Sequence, residues 1–317
     1  MARGGVPPSP LPPRHGVDAQ RIRMPQSGSW PTLRDHLVER LAPGLSAGEV
    51  DRKLAAGEVV DASGAPVAPD APFVPRSVVW THRDLPDEVP VPFDIEVLHR
   101  DERVVVVDKP HLVSTMPRGR HVVQSALART RVITGLPRLT PAHRLDRPTA
   151  GVLLLTTDQQ WRGAYQQVFA AGLVHKEYLA VAPVRADLPA SFVRRTHLVK
   201  EHGTHQAREV PGAAPNAETL VELLDAVGGL GLYRLVPRTG RTHQLRCQLS
   251  GLGIPIHDDP LYPVEVDVAP DDFGSPLQLL AAVLAFADPV DGTPRRFVSR
   301  RRLEAWPGAW PTLPTNP

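Results

Sequence analysis

The chain has 317 residues, which is enough for one large domain and a smaller one. Its 36 Lys and Arg against 34 Asp and Glu give a formal charge of +2, so the overall charge does not indicate a polyanionic partner. The single cysteine, Cys247, excludes an intramolecular disulfide framework and fits a reducing compartment.

The first part of the chain predicts a tail followed by a small helical module. Residues 1–28 are rich in Pro, Gly and Arg without hydrophobic periodicity, which predicts a disordered tail. Residues 29–82 form the module: LRDHLVERL has apolar residues at helical spacing, AGEVDRKLAAGEVV offers a second short helix, and VVDASGAPV predicts a strand pair. The N-terminus lacks the apolar core of a secretory signal, and the apolar run at 279–287 is too short to span a bilayer. A cytoplasmic protein without a membrane partner is the default expectation.

The middle of the chain combines buried strands with a basic stretch. FDIEVLHRDERVVVVDKP, from residue 93, predicts two strands joined by a polar turn, and HVVQSALARTRV predicts a helix with its arginines outward. In PAHRLDRPTAGVLLLTTD, residues 141–158, one carboxylate, Asp146, lies between two arginines and leads into an apolar strand. Between residues 117 and 147 the stretch has seven arginines and one acid, which predicts phosphate contacts, or otherwise a solvated basic face.

The remainder predicts a sheet with interspersed helices. Residues 161, 165, 168, 169 and 173 form one face of a helix, interpreted as core packing. KEYLAVAPV, ETLVELLDAV and GLYRLVPRTG predict strands, the last two joined as a hairpin at Gly228 and Gly229, and GLYRLVPRTG continues into RTHQLRCQL. By periodicity, residues 277–287 are a strand or a helix. The order of elements predicts an α+β fold with a mainly antiparallel sheet.

Four stretches carry a family resemblance. HRLDRPTAG resembles the signature of pseudouridine synthases of the RluA type, and VVVVDKPHLVSTMP, KEYLAV and TGRTHQLRCQLSGLGIPIHDDPLYP match further stretches of that family in the same order. The resemblance implies an α+β catalytic domain over residues 90–310. It also implies that the module at 29–82 is similar to the family's small RNA-binding module, with Arg52 and Lys53 as the obvious cations, or is a vestigial packing domain.

The implied reaction converts uridine into pseudouridine in structured RNA, ribosomal or transfer, after the target base has left its stack. By resemblance Asp146 is the catalytic acid, acting by attack at C6, by attack at C1′ or in elimination. Arg241 is the cation that pairs with it and favours its charged form. Tyr178 either only stacks on the uracil or also takes part in proton transfer, and Arg144 enters the space that the base vacates. The other candidate substrate contacts are His143, Arg147, Thr149, Lys176 and Lys109, with His143 orienting the loop and Lys109 either steering phosphate or solvated at a strand end.

The implied chemistry requires no metal or cofactor, and none is predicted: HGTH at 202–205 lacks partners at metal-site spacing. The chain departs from the family pattern at Ala150, Gln248, Asp258, Leu280 and Asp288. The resemblance therefore indicates the type of reaction better than the identity of the substrate. Two other functions are open. One is a catalytically weak RNA-binding or ribosome-assembly factor with the same fold, and the other is a nucleoside-cleaving hydrolase. A monomer is the default.

Overall fold

The computed structural model describes residues 9–42, 44–85 and 87–313. The chain divides into two compact units, Met1–Asp87 and Glu88–Pro317. This division lies between residues 82 and 90, the limits given by the sequence for the small module and the large domain.

The first unit is a small three-stranded sheet with two helices. Its elements are β1 (Gln20–Arg23), α1 (Leu33–Leu41), α2 (Ala47–Ala55), β2 (Val59–Val60) and β3 (Val78–Thr81), with the strands in the antiparallel order β1-β3-β2. Each helix begins with a capping box, formed by Thr32 with Asp35 and by Ser46 with Glu49, which satisfies backbone N–H groups that no helical carbonyl can reach. One apolar cluster joins both helices to the sheet.

The prediction of a disordered tail over residues 1–28 is wrong at β1. Ile22 and Met24 are buried in the cluster of the first unit, and β1 pairs with β3. The alternation in QRIRM is too short to distinguish from the surrounding Pro and Gly in the sequence, and only pairing with β3, more than 50 residues later, makes it a strand. Residues 1–8 lie outside the described residues.

The two cations expected to bind a polyanion in the first unit are already paired with acids. The Nζ of Lys53, which is buried, lies 2.7 Å from Oδ1 of Asp84, and Nη1 of Arg52 lies 3.1 Å from Oε1 of Glu58. Arg21 and Arg23 are instead exposed on β1, either side of the buried Ile22. The cationic surface of this unit therefore differs from the expected one.

Up to residue 313, the second unit is built on a ten-stranded sheet with three helices. Its sheet has the order β4-β5-β7-β14-β8-β13-β12-β9, with β15 beside β14 and β6 beside β7, while β10 and β11 form a separate hairpin. All pairs are antiparallel except β7 with β14. The α+β prediction is confirmed. The elements are β4 (Glu96–Arg100), β5 (Val104–Lys109), α3 (Ala126–Thr134), β6 (Thr140–Pro141), β7 (Ala150–Thr156), α4 (Gln159–Ala170), β8 (His175–Pro183), β9 (Ser191–Thr196), β10 (Leu198–Val199), β11 (Arg208–Glu209), β12 (Ala217–Val227), β13 (Leu230–Pro237), α5 (Gln244–Gly251), β14 (Leu279–Ala287) and β15 (Pro294–Val298).

At the centre of this sheet, β14 lies between β7 and β8. Gly151 and Tyr178 both pair with Ala281 on β14, one from each side. Gly151 has φ +114°, and a Cβ there would lie 2.2 Å from the carbonyl oxygen of Ala281, so only glycine permits this approach. The loop that precedes β7 therefore reaches the same point of the sheet as Tyr178. Residues 279–287, open between strand and helix in the sequence, are strand β14.

Three expectations about helices differ from the structure. Arg131 of α3 is buried and donates from Nε and Nη2 to the carbonyl oxygen of Leu139, so the arginines of this helix do not all face outward. Leu173 lies beyond the end of α4 and is exposed, whereas Tyr165 is buried in the core as predicted. RTHQLRCQL does not continue the strand before it, because residues 244–251 form helix α5.

Candidate active site

The loop that carries Asp146 is fixed by side chains from the segment after β5. The Oγ1 of Thr115 donates to the carbonyl oxygen of Leu145 at 2.7 Å and accepts from its N–H at 3.0 Å. The Nδ1 of His111 lies 2.8 Å from the carbonyl oxygen of Pro148. The N–H of Thr149, which is buried, donates to the carbonyl oxygen of Asp146 and closes a turn. The carboxylate is therefore presented by a rigid loop.

Lys109 supports this loop from below and cannot contact a substrate. Its side chain is fully buried, and Nζ donates to the carbonyl oxygens of Pro110, Val113 and Arg147 at 3.0, 2.7 and 3.2 Å. Burial lowers the pKa of Lys109 to about 7, while the charge of Asp146 opposes this shift. The prediction that Lys109 steers phosphate is wrong, because a lysine at the end of a central strand has no path to solvent here.

Asp146 lies in a cavity of about 850 Å³ that is open to solvent. Its side chain is 24% exposed, and its Oδ2 is 3.8 Å from both Nη1 of Arg246 and Nε2 of His243. Among the described residues no side chain donates a hydrogen bond to this carboxylate. Its oxygens therefore keep free lone pairs toward the cavity, beside a fixed positive charge.

Arg246, rather than Arg241, is the arginine beside Asp146. Arg246 is 2% exposed on α5 and forms a two-point ion pair with Asp259, with Nε 2.8 Å from Oδ2 and Nη2 2.5 Å from Oδ1. Arg241 is exposed at the rim of the cavity and donates from Nε to the carbonyl oxygen of Asn216. The sequence prediction is wrong because α5 begins at Gln244, so its first turn directs Arg246 inward and leaves Arg241 in the preceding turn.

Strand β8 contributes two further cavity residues. The ring of Tyr178 packs against both of the apolar clusters that meet at this point of the sheet. Burial and the negative charge of Asp146 raise the pKa of Tyr178, so its phenol stays protonated. Lys176, two residues earlier and on the same side of the strand, also lines the cavity, and burial lowers its pKa.

His143 holds the opposite wall. Its Nε2 accepts a hydrogen bond from the backbone N–H of Leu154 at 3.1 Å, and its ring stacks on Phe169 with centroids 4.5 Å apart. Burial and the neighbouring charge of Lys176 lower the pKa of His143 to about 3, so the ring is neutral. This supports the expected orienting role. Phe169, interpreted from its helical spacing as core only, also lines the cavity.

The seven arginines predicted as one basic patch divide into two groups. Arg129 and Arg131 donate to backbone carbonyls, and Arg138 pairs with Asp158. Arg118 and Arg144 are exposed and line the cavity, Arg120 is exposed, and Arg147 is half-buried. The exposed members of the second group carry no ion pair among the described residues, whereas Arg138, although 77% exposed, is paired with Asp158.

Other cavity residues could not be singled out in the sequence. The β10–β11 hairpin contributes Lys200, Thr204 and His205, which lie far from Asp146 in the chain. His243 lies in the motif that suggested Arg241, yet no pattern distinguishes it there. Only the fold brings these groups to the carboxylate.

The departures from the family pattern lie outside the cavity. Ala150, Gln248, Leu280 and Asp288 are buried and do not line it. Gln248, for example, accepts from Oγ1 of Thr219 at 2.6 Å and donates to Oγ1 of Thr196. Asp258 has φ +57°, a backbone conformation in which glycine is favoured. Four of these changes therefore lie in the packed interior, whereas Asp258 is exposed.

Within residues 9–42, 44–85 and 87–313, no group of three or more His, Cys, Asp or Glu is arranged to hold a metal ion. No helix in the same part of the chain is both long and apolar enough to cross a membrane.

Comparison with known proteins agrees with this geometry. Residues 103–251 match the sequence model of a family described as RNA pseudouridylate synthase. Ribosomal large subunit pseudouridine synthase D of Xylella fastidiosa is 28% identical over 284 residues, which cover 84% of each chain. Dual-specificity RNA pseudouridine synthase RluA of Vibrio cholerae is 29% identical over 208 residues, covering 62% of this chain and 78% of that one.

Among solved structures, human RNA Pseudouridylate Synthase Domain Containing 4 is 25% identical with a TM-score of 0.52, covering 65% of this chain and 88% of its own. The matched residues contain Asp146, Tyr178 and Arg246. The chain is a member of the RNA pseudouridylate synthase family, of the RluA type.

Proposed function

We propose that this enzyme converts uridine into pseudouridine in a structured ribosomal RNA, with Asp146 as the catalytic acid, Arg246 as its charge partner and Tyr178 as the surface for the base. The single observation that carries the proposal is the Asp146 carboxylate, which has no hydrogen-bond donor among the described side chains and lies 3.8 Å from a buried arginine. A carboxylate in this setting can act on the ribose or on the base.

The charges around Asp146 support its catalytic role. Arg246 is held by both oxygens of Asp259, which in turn accepts the N–H groups of Leu261 and Tyr262 at 2.8 and 3.2 Å. This arrangement fixes the guanidinium so that its third nitrogen faces Asp146. Charge that shifts between the carboxylate and the uracil during bond cleavage is then balanced by a group that does not need to move.

The rim of the cavity supports binding of a polynucleotide with its target base turned inward. Arg118 and Arg144 are exposed there, and neither forms an ion pair within the described ranges. Arginines of this kind bind backbone phosphates, and an extruded uracil would meet the protonated phenol of Tyr178. The side chain of Arg144 is long enough and exposed enough to occupy the space that the base leaves.

The first unit is proposed as an accessory RNA-binding module that acts through Arg21 and Arg23. Its predicted cations, Arg52 and Lys53, are paired with acids. A monomer and a cytoplasmic location complete the proposal. The buried free thiol of Cys247 is consistent with a reducing compartment.

A map of pseudouridine in total RNA tests the proposal. Cells that lack the chain are complemented with wild type or with Asp146→Asn, and the loss of a site in ribosomal RNA that only wild type restores is the expected result. A site lost from transfer RNA would correct the substrate but keep the reaction. Restoration by Asp146→Asn would contradict the catalytic role and favour an RNA-binding or ribosome-assembly factor.

A further inference from the structure

We propose that His243 is a second catalytic residue, which carries the proton that isomerisation moves from C5 to N1 of the uracil. The proposal rests on the proposed function, because it concerns a later step at the same site. His243 lines the cavity, and its Nε2 is 3.8 Å from Oδ2 of Asp146.

The backbone of His243 is arranged for this position. It precedes α5 with φ +55° and ψ 23°, a left-handed conformation that few residues other than glycine adopt, and its side chain does not cap the helix. Left-handed backbone at a non-glycine residue is often retained at functional sites. Here its effect is to direct the imidazole, 13% exposed, toward the carboxylate.

The hydrogen bonds of Tyr262 determine which nitrogen of His243 is free. The hydroxyl of Tyr262 donates to the carbonyl oxygen of Ala207 at 3.1 Å and accepts from the N–H of the same residue at 2.6 Å. We assign its one proton to that carbonyl, so that Nδ1 of His243, 3.2 Å away, donates to the hydroxyl. The lone pair of the neutral imidazole lies on Nε2, which faces the reacting groups.

The reaction requires such a group. Uridine bears hydrogen on C5, whereas pseudouridine has C5 joined to C1′ and hydrogen on N1. After the C5–C1′ bond forms, the C5–H bond breaks, its electron pair forms the C5=C6 bond, and the C6=N1 pair shifts to N1. The proton passes to Nε2 of His243 and from the imidazolium to N1, so the residue ends as it began.

The surroundings of His243 keep it ready to accept a proton. Burial and the positive charges of Arg246 and Lys200 lower its pKa below the usual value, and the negative charges of Asp146 and Asp259 oppose this shift. The imidazole is therefore neutral at pH 7. Tyr178, the other candidate for this proton, has a raised pKa and holds its own proton.

The test uses single-turnover reactions of the full chain on the RNA found by the pseudouridine map, made with ordinary or 5-deuterated uridine. His243→Asn is the main variant, because asparagine tolerates left-handed backbone but cannot carry the proton. His202→Gln is the matched control, since that histidine is exposed and lies outside the cavity. We expect His243→Asn to slow turnover by about 10² to 10⁴-fold and the control to match wild type.

Two readouts distinguish proton transfer from a merely structural role. In His243→Asn, breaking the C5–H bond should become rate-limiting, so deuterium should slow the variant more than wild type. The fall of the wild-type rate at acid pH, where His243 becomes protonated, should also be absent from the variant. Wild-type turnover by His243→Asn, or slower turnover with an unchanged isotope effect and acid limb, would overturn the proposal.

The wild-type reaction separates the two proposals. No pseudouridine from wild type would overturn the proposed function itself. Should His243→Asn fail to fold, His243→Gly is assayed with and without added imidazole, because glycine also suits this backbone. Restored turnover would support the proton carrier, and none would contradict it.

Discussion

Two aspartates of the second unit, Asp288 and Asp146, differ in burial and in the hydrogen bonds that their carboxylates accept. Asp288, near the edge formed by β15, is fully buried and accepts hydrogen bonds from Tyr165, Arg295, Arg103 and the N–H of Val290, at 2.7 to 3.4 Å. Asp146 is 24% exposed, and its nearest charged neighbours are 3.8 Å away. Asp288 is surrounded by donors, whereas Asp146 is left open.

This difference is the basis on which we propose that Asp288 is a stabilising acid and Asp146 a reactive one. A buried carboxylate is tolerated when donors satisfy its lone pairs, and it then has none left for a substrate. A carboxylate that must attack or abstract has to keep them free, at a cost in stability that its neighbours offset. The distances around each acid therefore predict opposite responses to substitution.

Asp146→Asn should have the largest effect on activity. It keeps the shape of the side chain but removes its charge, so we expect turnover to fall by about 10⁴-fold or more, as for loss of a catalytic acid elsewhere. Its free energy of unfolding should stay close to that of wild type, because no hydrogen bond is lost. Single-turnover kinetics and thermal unfolding measure the two quantities. A large fall in stability would instead indicate that Asp146, like Asp288, stabilises the fold.

Arg246→Gln should come next, with Arg241→Gln as its matched control. Removing the charge beside Asp146 should lower turnover by about 10² to 10³-fold, comparable to the loss of one electrostatic contact in an active site. It should also destabilise the chain, because Asp259 loses its buried partner. Arg241→Gln should retain most turnover and weaken RNA binding. The reverse ranking of the two variants would restore the prediction made from the sequence.

Asp288→Asn should change stability without changing the chemistry. Arg103 and Arg295 would lose a buried partner, which costs about 3 kcal/mol of unfolding free energy. Below the unfolding transition, the turnover of the folded variant should equal that of wild type. Denaturant titration together with single-turnover kinetics tests this. A specific loss of turnover in fully folded protein would contradict the separation of the two acids.

Lys109, which lies under the Asp146 loop, should make the free energy of unfolding depend on pH, and this effect should be smaller than those above. Burial lowers its pKa to about 7 in the folded chain, from an ordinary value of 10.5. The unfolded chain therefore binds more protons between these two values, and the free energy of unfolding should rise with pH across that window. Lys109→Met should flatten the slope. Denaturant titrations at pH 7.5 and 9.5 compare the two proteins, and parallel slopes would show that Lys109 stays charged when folded.

The weakest expected effect concerns the first unit. Replacing Arg21 and Arg23 by glutamine should reduce the salt dependence of RNA binding by about two phosphate contacts. Arg52→Gln, whose arginine is already paired with Glu58, is the control and should leave it unchanged. Binding measured over a range of salt concentrations decides this. Equal slopes for all three proteins would favour a packing role for the module.

Local sequence was sufficient for much of the fold. The valines of β5 and the leucines of β7 predicted strands because each apolar run is short and bounded by turn residues, which is typical of a buried strand. Asp146 and Tyr178 were predicted from the resemblance, whose motifs consist of neighbouring residues and can therefore be read from local sequence. Residues 277–287 were ambiguous because an apolar run has no period to distinguish a strand from a helix.

Tertiary structure decided how the charged residues are used. Arg246 and Arg241 are five positions apart in one motif. Which of them lies beside Asp146 is determined by the residue at which α5 begins and by the ion pair of Arg246 with Asp259. Lys109, Arg131 and Lys53 look like exposed cations in the sequence but are buried in the structure. Lys53, for example, donates to Asp84, 31 positions later in the chain. The tautomer that we assign to His243 depends on its contact with Tyr262 and on the contact of Tyr262 with Ala207. Periodicity indicates which face of an element is buried, whereas the partner of a charged side chain depends on which other segments the fold brings beside it.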